Sequence, residues 1–195
     1  MVAVKPSGLL AVPGRTVADC HWARLQATFE DLRIVHRLDM ATSGLILYAR
    51  GAEPQRRLSR AFAERAVSKS YVAVVDGLVV DDAGEIDLPL QADWPNRPLQ
   101  KVDRAHGRPA LTRFRVLMRD LDDRITRLAL EPVTGRSHQL RVHLAALGHP
   151  ILGDALYAPP AIATRARRLL LHAAALRFAH PGNGTEMTFR SPAPF

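Results

Sequence analysis

Apolar positions in this chain follow two rhythms, a short β-branched alternation and a looser spacing of three to four, and the first dominates. Residues 43–49 form a short apolar run of the kind a buried strand shows. Residues 70–77, rich in β-branched side chains and closed by Asp76-Gly77, predict a strand and a turn. Residues 112–118, 125–130, 169–178 and 187–190 also lean to strand. Helical spacing is expected over 19–29, with Cys20, Trp22, Leu25 and Phe29 as its apolar points. A second helix is expected over 52–66, with Leu58, Phe62 and Ala63 on one face and arginines opposite. A third is expected over 138–147, with Ser137 as N-cap and Gly148 just past the end. There Leu140, Leu144 and Leu147 make the apolar stripe, Arg141 lies off its centre, and His138 and His143 flank it. Lys5-Pro6-Ser7-Gly8 and Val12-Pro13-Gly14-Arg15 read as turns. Many strands and few helices in no regular alternation predict an α+β fold with a mixed or antiparallel central sheet, not a doubly wound parallel one. Without a repeat or a Ser/Gly linker, residues 1–195 read as one domain.

Composition narrows the partners more than the fold. Lys and Arg number 27 against 19 Asp and Glu, a net charge of +8, which points to a polyanion and first of all to nucleic acid. Only Lys5, Lys69 and Lys101 are lysines, so arginine, suited to bidentate phosphate contacts and stacking, carries the rest. Compositional drift competes as the source of that preference, while the excess of charge stays informative. The arginines are scattered, which suggests a folded basic face and not a disordered arm. One cysteine, Cys20, allows no internal disulfide and sits among apolar positions, as a core residue would. No apolar run has the length of a spanning helix, so a cytoplasmic protein without a membrane partner is expected.

Three segments place chemically capable residues beside apolar strands or tight turns. The first, His36-Arg37-Leu38-Asp39-Met40-Ala41-Thr42-Ser43-Gly44, feeds into the buried run and can hold the Asp39 carboxylate at the mouth of the core. Pattern alone favours an Asx turn for Asp39, with Thr42 or Ser43 as partner. The second is Lys69-Ser70-Tyr71, where a lone tyrosine at a strand start is more often packing than catalysis. The third, Thr134-Gly135-Arg136-Ser137-His138-Gln139-Leu140-Arg141-Val142-His143, crowds donors at a helix N-terminus, an anion-binding arrangement. Cations there oppose the helix dipole and need another reason to be present. His36, His138, His143, His149 and His172 lack the spacing of a helical zinc site, and no glycine-rich nucleotide loop occurs, so no metal or nucleotide cofactor is expected.

On these three segments the chain resembles the pseudouridine synthases of the group that includes ribosomal large subunit pseudouridine synthase A. The stretches Lys5-Pro6-Ser7-Gly8-Leu9-Leu10-Ala11-Val12-Pro13-Gly14-Arg15, Asp93-Trp94-Pro95-Asn96-Arg97-Pro98 and Gly148-His149-Pro150-Ile151-Leu152-Gly153-Asp154 extend the likeness over nearly the whole chain. The resemblance implies the pseudouridine synthase catalytic fold and a cofactor-independent isomerase acting on uridine in stem-loops of structured RNA. It makes Asp39 the nucleophile or base, Tyr71 the ring that stacks on uracil, and Arg141 the cation that keeps Asp39 ionised. His36, Arg37, Arg136, His138 and Gln139 become candidate RNA contacts. The Val-Pro-Gly-Arg and Asp-Trp-Pro-Asn-Arg-Pro stretches lean to the branch that modifies both ribosomal RNA and a tRNA anticodon stem-loop, expected here to act as a monomer with no DNA partner. Family members usually carry a further stretch before the Lys-Pro-Ser-Gly motif, so an N-terminal edge strand is expected to be missing or the start to be late. Two other classes remain to be separated: an idle RNA-binding module, which the presence of Asp39 disfavours, and a glycoside-type hydrolase, which would need a second carboxylate.

Overall fold

A strand with no wet face needs an uninterrupted apolar run, and the run at residues 43–49 is buried at every position. It forms most of a strand in the computed structural model, which describes the whole chain, Met1–Phe195. In chain order the first elements are β1 (Val2–Lys5), α1 (His21–Gln26), β2 (Leu32–Ile34), β3 (Ser43–Arg50), α2 (Ala52–Ala63) and β4 (Ser68–Asp76). Then follow β5 (Ala83–Asp87), β6 (Leu90–Ala92), a 3-10 turn at Trp94–Asn96, β7 (Gln100–Val102), β8 (Leu111–Asp120) and β9 (Ile125–Pro132). The chain ends with α3 (Gln139–Ala146), α4 (Pro160–Ala163), β10 (Leu171–Ala179) and β11 (Glu186–Arg190). These elements fall into two units, Met1–Lys69 with His172–Phe195, and Ser70–Leu171.

In the first unit β3 is the hub. β1 runs antiparallel to it from Val2 opposite Leu47 to Lys5 opposite Gly44. β2 pairs antiparallel with its far end, Leu32 opposite Arg50. β10 lies parallel to its start, through Ser43 with His172 and Gly44 with Ala173, and β11 returns antiparallel along β10. Gly44 has φ +113°, and a Cβ there would lie 2.4 Å from the Ala173 carbonyl oxygen, so only glycine lets these two strands close. Leu45, Leu47 and Ala49 of β3 pack with Leu58 of α2, Val67, and Leu176 and Phe178 of β10 to form the core.

The second unit is an antiparallel run in the order β4, β9, β8, β5. β9 alternates buried and half-exposed positions, the period of a sheet wet on one side. Residues 150–152 lie along β4, with the Asp76 amide donating to the Pro150 carbonyl at 2.9 Å and the Leu152 amide to Val74 at 3.0 Å. Gly153 follows at φ +76°, where a Cβ would sit 1.8 Å from the Arg168 carbonyl oxygen. That glycine turns the chain sharply and delivers Asp154. β6 and β7 form a separate hairpin, and Leu90, Ala110 and Val142 of α3 pack beneath it with Val102 and Tyr157.

The mixed sheet and sparse helices agree with the predicted α+β class, and several details differ. Lys5, read as part of a turn, ends β1. The helix expected over 52–66 stops at Ala63, which is exposed, and its core face is Leu58, Ala61 and Phe62. The first helix is a turn and a half long, not eleven residues, and Cys20 is its N-cap, with Sγ accepting from the Ala23 amide at 3.4 Å. Ser137 is not the cap of α3. His138 takes that position in the left-handed conformation, φ +54°. Leu147, expected on the apolar stripe, is 42% exposed, whereas all six residues from Gln139 to Leu144 are buried.

Candidate active site

The loop that carries Asp39 is held from beneath by a buried cation. Lys5 is 0% exposed, and its Nζ donates to the carbonyls of Pro6 and Leu9 at 2.7 Å and of Met40 at 2.9 Å. The Gly8 amide also donates to the Met40 carbonyl at 2.9 Å, and the Ser7 hydroxyl to Ala41 at 2.6 Å. The Thr42 amide closes the turn onto the Asp39 carbonyl at 3.2 Å. With Leu38, Thr42 and Ser43 buried on either side, the backbone on both flanks of Asp39 is fixed. The Asp39 side chain is half-buried and Arg37 is exposed. Ser43, weighed as an Asx-turn partner, has its hydroxyl 2.8 Å from Nδ1 of His172.

His36 points the other way. Its ring stacks on Phe62 at 4.5 Å, and Nε2 accepts the Leu47 amide at 2.9 Å. Burial, helped by the Lys69 charge, lowers its pKa to about 3, so the ring is neutral and carries its proton on Nδ1. It ties the motif loop to β3.

In the second unit the turn before α3 is organised by one amide. Gln139 is buried; its Oε1 accepts from the Thr134 hydroxyl at 2.7 Å and the Arg136 amide at 3.0 Å. Its Nε2 donates to the Leu111 carbonyl at 2.9 Å and the Thr112 hydroxyl at 3.0 Å. All four hydrogen-bonding positions of the amide are thereby spent within the protein. Thr112, accepting from Gln139, gives its own proton to Nδ1 of His143 at 2.9 Å, and Nε2 of His143 donates to the Leu88 carbonyl at 3.0 Å. Burial lowers the His143 pKa, in keeping with a neutral ring in that chain of bonds. Arg136 is half-buried and donates through Nε to the Pro109 carbonyl at 3.0 Å.

Arg141 supplies the reason a cation tolerates the first turns of this helix. It is 4% exposed and Asp154 is 1% exposed; Nε meets Oδ2 at 2.8 Å and Nη2 meets Oδ1 at 2.6 Å. The guanidinium lies 5.0 Å from the centre of the Tyr157 ring. The Tyr157 hydroxyl accepts from the Gln100 amide at 2.9 Å and so donates to Nδ1 of His138 at 2.5 Å. Arg136, His138, Gln139 and Arg141 are thus brought together on one turn and helix. Tyr71 stands half-buried near the start of β4, opposite Leu130 of β9.

Three residues that organise these segments were not singled out from the sequence: Lys5, Asp154 and Tyr157. A signal existed for the first, since lysine stands at only three of 27 basic positions. An ammonium radiates three donors to three carbonyls, which a planar guanidinium cannot do. No pattern marks Asp154 as the partner of a residue thirteen positions earlier.

Comparison with known proteins bears on the chemistry of these loops. The chain is 52% identical to the dual-specificity RNA pseudouridine synthase RluA of Yersinia pestis, over all of this chain and 95% of that protein. It is 51% identical to the protein of the same name from Escherichia coli K12, over all of this chain and 90% of that protein. Among solved structures, human RNA pseudouridylate synthase domain containing 1 superposes with a TM-score of 0.83 at 30% identity, covering 100% of this chain and 80% of that one. Human RNA pseudouridylate synthase domain containing 4 gives 0.79 at 25% identity, covering 99% and 85%. Residues 1–146, which include the Lys5 clamp, the Asp39 loop, Tyr71 and all of α3, match the family described as RNA pseudouridylate synthase. With sequence, fold and motif loops in agreement, the chain belongs to that family of RNA-modifying enzymes.

Proposed function

We propose that this enzyme converts uridine to pseudouridine in stem-loops of both ribosomal RNA and tRNA without a cofactor, with Asp39, Tyr71 and Arg141 as its reacting and supporting groups. The reaction breaks the N1–C1′ bond, turns the uracil, joins C5 to C1′, and moves the C5 proton so that N1 gains one; nothing is oxidised and no water is consumed. An ionised carboxylate acting at the sugar, a ring to stack on the loosened uracil and a route for the C5 proton suffice. Asp39 supplies the first, and Tyr71 the second and, through its hydroxyl, the third. Arg141 is assigned as the cation that favours the charged form of that carboxylate.

The observation that supports this reading most is the fixed backbone around Asp39: Lys5, Ser7 and Gly8 all bond to the Met40–Ala41 carbonyls that follow it. A catalytic group held on a rigid turn loses little freedom when the substrate arrives. The target base must leave its stack, at a cost of a few kcal/mol that is smallest in loops, which favours stem-loops. Arg37, exposed and two residues before Asp39, is assigned the stacking role in the vacated position, and Arg136 and His138 the RNA backbone. The shared dual-specificity name of the two bacterial relatives supports two classes of RNA substrate.

The test is Asp39→Asn on a uridine-containing stem-loop and on RNA from a strain lacking the gene, read by carbodiimide labelling and primer extension. Turnover should vanish while RNA affinity stays within a few-fold. Activity in the variant, or release of free uracil by the parent enzyme, overturns the proposal. Arg37→Ala at full activity on folded RNA would remove the role given to that side chain.

A further inference from the structure

The β6–β7 hairpin ends in Asp93-Trp94-Pro95-Asn96-Arg97-Pro98, a segment with no part in the chemistry above. Trp94 is 62% exposed at its tip, although an indole gains more than most side chains by leaving water. The Arg97 guanidinium lies over its ring, 3.3 Å from the centroid. The turn is stiff: Asn96 donates through its amide to the Asp93 carbonyl at 3.0 Å and through Nδ2 to Oδ2 at 2.9 Å. The Leu99 amide donates to Asn96 at 3.0 Å, the Asp93 amide to Leu99 at 2.9 Å, and two prolines fix φ on either side. Trp94 is therefore presented by a rigid tip.

The exposed charges of this hairpin and the loop after it are mostly basic. Arg97, Lys101, Arg104 and Arg108 are all exposed. Of the two acids, Asp93 is occupied by Asn96, and Asp103 accepts the Ala105 amide at 3.0 Å and the His106 amide at 2.9 Å. Both carboxylates bond within their own turns, while Arg97 lies against the indole and Lys101, Arg104 and Arg108 stand exposed along the hairpin and the loop after it. An aromatic face flanked by cations is how proteins hold an unpaired nucleotide, the ring taking the base and the cations the phosphates. The hairpin is also tied to the motif turn, because the Gln100 amide donates to the same Tyr157 hydroxyl that holds His138 and whose ring covers Arg141.

We propose that Trp94, with Arg97 on one face, is a stacking site for an unpaired base of the RNA substrate, and that Arg97, Lys101, Arg104 and Arg108 hold the adjoining phosphates. This rests on the enzyme acting on RNA stem-loops and names a second point of attachment. The probes are an RNA stem-loop with a uridine-containing unpaired loop and a blunt duplex of equal length. Trp94→Ala should weaken stem-loop binding by about 5- to 150-fold, the usual range for loss of one stacked base, raise KM, change kcat little, and leave duplex binding unaltered. Trp94→Phe should restore most of the affinity. In a Trp22→Phe background, Trp94 fluorescence should be quenched by the stem-loop and not by the duplex. Equal stem-loop binding by parent and Trp94→Ala, or a Trp94-dependent self-association of the protein in ultracentrifugation with no effect on RNA, overturns the proposal. If the parent enzyme binds through Trp94 yet makes no pseudouridine, the stacking site stands and the catalytic reading fails; if it makes pseudouridine and Trp94→Ala binds equally well, the reverse holds.

Discussion

Arg141 and Asp154 form a bidentate ion pair, 2.8 and 2.6 Å, at 4% and 1% exposure, and the rest of the carboxylate is also used. Oδ1 of Asp154 accepts the Leu156 amide at 3.0 Å and the Tyr157 amide at 3.2 Å. Such a pair adds little net stability over an apolar substitute, yet removing one partner strands a charge in a dry site. Asp154→Ala should therefore cost about 3–5 kcal/mol in urea unfolding. Asp154→Asn, which keeps an acceptor for the two amides, should cost less and still lose turnover, because Arg141 would be held in a different position. A loss below about 1 kcal/mol for Asp154→Ala would show that the pair is relieved by solvent.

Lys5 makes a sharper test of shape. Its ammonium spends all three donors on carbonyls of Pro6, Leu9 and Met40, and charge-assisted bonds of this kind contribute about 1.5–3 kcal/mol each when buried. Lys5→Met takes the ammonium from the Pro6 and Leu9 carbonyls and leaves the Met40 carbonyl with the Gly8 amide alone. Lys5→Arg keeps the charge, but its planar fork cannot radiate to the same three oxygens, and its extra volume has no room at a fully buried position. Both should be destabilised by several kcal/mol (about 2–5) and lose turnover, as the Asp39 loop is freed. An active, stable Lys5→Arg enzyme would refute the geometric argument while leaving the charge argument intact.

What the sequence revealed and what it concealed divide along a physical line. The long strands β3, β4, β8, β9 and β10 were visible because each fills its apolar side with β-branched or aliphatic residues. β2, β6 and β7, three residues each, are too short to show a period, and β5, with Gly84 and two acids, carries no hydrophobic signature. In α3 the apolar stripe misled, since Arg141, His143 and Gln139 are buried as deeply as Leu140 and Leu144. Their burial depends on Asp154, Thr112 and Leu88, partners that sequence spacing does not disclose. The candidate site residues were legible as motifs. Their hydrogen-bond roles were not: Gln139 and His36, read as RNA contacts, prove to bond within the fold.

Neutral buried histidines set a pH dependence whose sign follows from their direction of shift. His36 is lowered to about 3 by burial and by Lys69, and His143 is lowered by burial. His21 is lowered by burial and by Lys5. In the unfolded chain each titrates near 6.5, so below that pH the unfolded state binds protons that the folded state does not. Stability contributed by these rings is complete above about pH 6.5 and is lost as pH falls towards each folded pKa, for His36 about 3. Each ring steepens the loss by up to about 1.4 kcal/mol per pH unit. Urea unfolding between pH 7.5 and about 5, above the range where carboxylates titrate, should show stability falling by more than one proton's slope. His36→Gln, whose Oε1 reaches about as far as Nε2 and can still accept the Leu47 amide, should flatten that slope by one proton, while the lost stacking on Phe62 lowers stability by a similar amount at every pH. A slope identical in the variant would mean that the His36 ring is protonated in the folded enzyme, and with it that Nε2 does not accept the Leu47 amide.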